Sequence, residues 1–86
     1  MNQPGPIAKL IMMGIYDGFR VKFKNPPEYI RRAIPASITF KQHNEYKHAV
    51  LMTYIDRKQE PSLYVNATIS INLLDQYFKI DTETGA

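Results

Sequence analysis

Between residues 36 and 70 the chain passes through three segments in which apolar and polar residues alternate, and this periodicity constrains the fold more than any other feature. A period of two marks strands with one buried face. Ala36, Ile38 and Phe40 alternate with Ser37, Thr39 and Lys41. With Asn44-Glu45 as the turn, Phe40 faces Ala49, Ile38 faces Leu51 and Ala36 faces Thr53. A five-residue loop at 57–61 then sets Ile55 against Leu63, Thr53 against Val65, Leu51 against Ala67 and Ala49 against Ile69. All of these fall on one side, and a slip of one residue would turn them outward. The expected structure is an antiparallel three-stranded meander. Its other face would show Lys41, His43, Tyr46, His48, Val50, Met52, Tyr54 and Tyr64.

Asp17-Gly18 lies ahead of the meander, between two apolar runs. Asp and Gly both tolerate the positive φ of a tight hairpin turn. Phe19, Val21 and Phe23 then alternate with Arg20, Lys22 and Lys24, so a hairpin over residues 11–24 is favoured. Ile7, Leu10, Ile11, Gly14 and Ile15 also fit a helical stripe behind Pro6. That alternative ranks second because the helix would carry Gly14 and run into the turn. Residues 26–34 read as a short helix, with Pro26 and Glu28 suited to its start and Pro35 stopping it. Residues 72–80 fit a helix capped by Asn72 or a strand, and the helix is preferred. The fold class is therefore α+β in the order β-β-α-β-β-β-α, one domain over residues 1–86 with irregular tails at 1–6 and 81–86.

A chain of 86 residues buries only roughly 60–65% of its unfolded surface, so apolar area left uncovered is informative. There is no cysteine, which excludes disulfides, thiolate metal sites and a cysteine nucleophile. No apolar run is long enough to span a membrane, and residues 1–15 lack a basic start and a cleavage pattern, so a cytoplasmic location without membrane contact is expected. Asn66-Ala67-Thr68 matches a glycosylation acceptor, expected to be incidental in that setting.

Charge is unevenly spread: residues 1–32 carry a net +4 and residues 61–86 a net −2, within a total of +3. This pattern suits an acidic protein partner, or another copy of the chain, steered by a basic patch of Arg20, Lys22, Lys24, Arg31 and Arg32. His43 and His48 lack a third ligand at metal-binding spacing, and no nucleophile elbow, phosphate cradle or carboxylate pair is present. No cofactor, metal or catalytic residue is assigned. The expected function is that of a small non-catalytic regulatory or adaptor protein, of the kind phages and plasmids direct at host factors. It would act by protein–protein contact through Tyr46, Met52, Tyr54 and Tyr64 and be a homo-oligomer. A nucleic-acid-binding module is the first alternative, with the basic patch on phosphates and Tyr46 or Tyr64 stacking on bases. A small histidine-dependent hydrolase or nuclease, using His48 opposite Lys41, is the second.

Overall fold

The computed structural model describes residues 4–59 and 63–81. Helix α1 spans Pro6–Met12, strand β1 Val21–Phe23 and helix α2 Glu28–Arg31. A 3-10 turn at Pro35–Ser37 leads into the meander of β2 (Thr39–Gln42), β3 (Ala49–Ile55) and β4 (Tyr64–Ser70). Helix α3 (Ile71–Tyr77) and strand β5 (Phe78–Ile80) complete the chain. The class is α+β with two antiparallel sheets, β1-β5 and β2-β3-β4. Of the expected tails 1–6 and 81–86, residues 1–3 and 82–86 lie outside the described residues, while Pro6 opens α1 and the Asp81 N–H donates to Arg20 O.

The N-terminal hairpin does not form. Residues 6–12 take the helical alternative, with Pro6 in the first turn and Ile7, Ala8 and Ile11 buried along one stripe. Gly14, which weighed against a helix, is what ends it: at φ +81° its N–H donates to Ile11 O and the Ile15 N–H to Leu10 O. This is a left-handed helix stop of the kind glycine favours. Asp17-Gly18 is not the expected tight turn, because that turn needs positive φ at both residues and only Gly18 (φ +86°) has it. β1 instead pairs with β5, Val21 opposite Ile80 and Phe23 opposite Phe78.

Residues 72–80 satisfy both readings in succession, a helix and then a strand. The cap is Ser70 rather than Asn72, its hydroxyl accepting the Asn72 N–H at 3.3 Å.

The meander forms, but in another register. Phe40 faces Met52 and Met52 faces Ala67, an odd shift on both sides of β3. β2 and β4 keep the expected inner faces, with Phe40 and Ile69 buried, while β3 turns over. Val50, Met52 and Tyr54 are in the core, and Ala49, Leu51, Thr53 and Ile55 are half-buried on the other side. The cause is in β3 itself: both of its faces are apolar, so alternation does not choose between them. The connection chooses. The β2–β3 loop is not a two-residue turn; the His43 ring folds into it, Nδ1 accepting the N–H groups of Glu45 (3.0 Å) and Tyr46 (3.3 Å).

The core lies between the inner face of the meander and a layer made of α1, α3 and β1-β5. Phe78 and Phe40 join the layers edge to face at 6.1 Å, flanked by Phe23 and Phe19. Among the described residues no helix is long and apolar enough to cross a membrane.

Candidate interaction surface

The face of β2-β3-β4 turned away from the core has no second layer among the described residues. Leu51, Thr53 and Ile55 lie along β3, the middle strand, with Thr39 and Lys41 on one flank and Tyr64, Asn66 and Thr68 on the other. Tyr64 is 67% exposed, and the adjoining Leu63 is 56% exposed. Thr53 and Asn66, directly opposed, are tied by a 2.9 Å hydrogen bond from Oγ1 to Oδ1. At the far end His43 lies across the sheet, Nε2 3.1 Å from Thr68 Oγ1, and its ring is 4.9 Å from that of Tyr46. Because Nδ1 accepts two backbone N–H groups, the ring proton is on Nε2 and donates to Thr68.

Of the four residues expected at the interface, the structure brings out two. Tyr46 and Tyr64 are exposed; Met52 (0%) and Tyr54 (3%) belong to the core. Their burial follows from the inverted β3 register, which replaces them on the open face by Leu51 and Ile55. Sequence reasoning missed those two because it had placed them inside. Helix α1 also parts the apolar residues ahead of Asp17: Ile11 is buried, while Met13 and Ile15 are exposed beside Met12.

The basic residues fall into two groups. Lys22 sits opposite Lys79 on the β1-β5 ribbon, flanked by Arg20 and Lys24, and the Lys24 ammonium is 3.4 Å from Asp75 O. Arg31 and Arg32, at the end of α2, are engaged with their own chain. Arg31 Nε donates to Pro26 O, and Arg57 reaches Arg31 O. Arg32 Nε lies 3.2 Å from Asp56 Oδ2, close but without hydrogen-bond alignment. Asp56 is buried, and its Oδ1 accepts the Lys58 N–H at 2.9 Å.

Burial raises the phenol pKa of Tyr54, and the Asp56 carboxylate and Tyr29 add to it while Arg32 opposes. Tyr29 is raised as well, by desolvation and then by Tyr77.

The histidines do not converge on catalytic partners. Lys41 faces Leu51 in the observed register rather than His48. His48 instead borders a shallow depression shared with Ile11, Met12, Tyr16, Lys47, Ile71 and Asn72. Among the described residues no three His, Asp or Glu side chains are placed to hold a metal. No family model, no curated protein and no solved structure matches the chain.

Proposed function

We propose that this is a non-catalytic binding protein that works by protein–protein contact through the open face of the meander. The observation that carries the reading is the uncovered sheet itself. In a domain with so little core, Leu51 and the Ile55–Tyr64 pair stand on the open side of three strands, separated by Thr53 and Asn66. Sheets normally bury one face and leave a polar one to water; here Leu51, Ile55 and Tyr64 interrupt a face otherwise made of Thr39, Lys41, Thr53, Asn66 and Thr68, and apolar groups placed so are suited to a partner. Arg20, Lys22 and Lys24 belong to the layer across the core from this face, whereas Lys41 stands on the face itself and would favour an acidic protein there.

Leu51→Glu tests this, because it places a charge at the centre of the open face without touching the core. Affinity capture from cells should yield a protein that the variant fails to retain. Identical capture by both forms would sink the reading.

A nucleic-acid partner is the second reading, favoured by Lys41, His43, Tyr46 and Tyr64 on the same surface. It requires affinity for single-stranded RNA or DNA that falls steeply with salt and with Tyr64→Ala. Absence of binding at low salt would remove it.

A further inference from the structure

The outer edge of β4 differs from the molecule's other edges. The Ile71 N–H donates to His48 O at 2.8 Å, continuing the β3–β4 ladder one pair past Ala49 and Ser70. Antiparallel pairs alternate, so Ile69, Ala67 and Val65 spend their backbone groups on β3. Tyr64, Asn66 and Thr68 point theirs away from it, and no partner for those groups exists among the described residues. Natural edges are blunted by short length, lysine, proline or bulges. β2 follows that rule, with four residues including Lys41; β4 has seven, with neither charge nor proline.

We infer that β4 pairs antiparallel with β4 of a second copy about a twofold axis at Asn66, joining two meanders into one continuous sheet. This rests on the protein-contact reading and names the partner for one part of that surface. Three observations select a second copy.

The free backbone groups are symmetric about Asn66. With Asn66 opposite its own copy, Tyr64 faces Thr68 in both directions, and every free N–H meets a carbonyl. Ser70 cannot extend the set, because it caps α3 and the chain turns away there.

Charge restricts where two copies can meet. Two copies of a chain of net charge +3 repel each other, and β4 is a seven-residue edge that brings no like charges together.

The ends match as well. Tyr64 stands exposed at one end of the strand, and the His43–Tyr46 pair lies beside Thr68 at the other. Antiparallel pairing sets each Tyr64 against the partner's Thr68, within reach of that aromatic pair, twice in one interface.

Sedimentation equilibrium over a wide concentration range reads the outcome. The wild type should dimerise, with a dissociation constant of roughly micromolar order. Asn66→Lys and Asn66→Glu each place like charges across the axis. Each should weaken dimerisation roughly tenfold or more, while circular dichroism shows an intact fold. Mixing the two variants should restore a dimer. Asn66→Pro, which removes the outward N–H together with the Oδ1 acceptor of the exposed Thr53 hydroxyl, should leave a folded monomer.

A monomeric wild type overturns the pairing, and so does an Asn66→Lys dimer as tight as the wild type. A mixture no tighter than its components overturns it too. A monomeric wild type whose capture of another protein is lost in Leu51→Glu defeats the self-pairing alone and leaves the open-face reading standing.

Discussion

The Asp75 carboxylate caps a helix to which it does not belong: Oδ1 accepts the Ile7 N–H and Oδ2 the Ala8 N–H, both at 2.9 Å. The first turn of α1 has no local side-chain cap, and α3 supplies one across a separation of 68 residues. The contact is close because position 5 is glycine; a Cβ there would lie 2.6 Å from Asp75 Oδ2. Gly5 has an ordinary extended backbone (φ −77°), so the demand is for space, not for backbone freedom.

Asp75→Ala should therefore cost about 1–2 kcal/mol, and Asp75→Asn, which keeps one acceptor, about half as much. Gly5→Ala should be destabilising in the wild type and less so in the Asp75→Ala background, where only the 2.8 Å approach to the Cβ of residue 75 remains. Urea unfolding of the four proteins measures that coupling; strict additivity would contradict the geometry.

The inverted register of β3 gives the second prediction. Met52→Ala should cost about 2–5 kcal/mol because it opens a cavity under Phe40 and Ala67. Leu51→Ala, on the half-exposed side, should cost about 1 kcal/mol. Equal losses, or the reverse order, would restore the register in which Leu51 is inside.

These two sites also show which features were legible in the chain. Strands 39–42 and 64–70 were visible because Phe40 and Ile69 alternate with polar neighbours that cannot be buried cheaply. In β3 every residue but Thr53 is apolar or aromatic, so period two marks a strand without naming its inner face. The helix at 6–12 was legible as a stripe, but one glycine served equally as an argument against a helix and as its stop. The β1-β5 ribbon has three residues per strand and pairs segments more than fifty residues apart, 21–23 with 78–80; no local pattern announces a contact of that kind. The Asp75 cap was hidden for the same reason. On the surface, Tyr46 and Tyr64 were found from composition, whereas Leu51 and Ile55 depended on the register. The uncharged run at 64–70 was open to view in the sequence and becomes informative only once β4 is known to be an edge.

Arg32 and Asp56 give the third prediction. Asp56 is 2% exposed, while the Arg32 side chain keeps 38% of its surface in water. Losing the arginine strands a buried carboxylate, so Arg32→Ala should destabilise by roughly 2–3 kcal/mol. Asp56→Asn keeps an acceptor for the Lys58 N–H and carries no charge, so it should cost less. The double variant Arg32→Ala/Asp56→Asn should then be more stable than Arg32→Ala alone. Thermal melts of the three variants decide the order, and a double variant weaker than both singles would show that the pair is not what couples these positions.

The fourth prediction concerns alkaline pH. The phenols of Tyr29 and Tyr54 titrate above their ordinary value of 10.0 in the folded protein, in both cases chiefly through desolvation. As pH passes 10 the unfolded chain gives up these protons first, and the folded state then holds more of them. Stability must fall wherever the folded state binds more protons, so the contribution is complete below pH 10 and is lost as pH rises toward the folded-state values. Tyr54 is the stronger case, since it lies beside the Asp56 carboxylate and its phenolate would add a second negative charge to a dry site. Tyr54→Phe should flatten the decline of stability with alkaline pH, and phenolate absorbance should show one fewer late-titrating tyrosine. An unchanged alkaline slope in Tyr54→Phe would mean that the phenol is hydrated despite its burial.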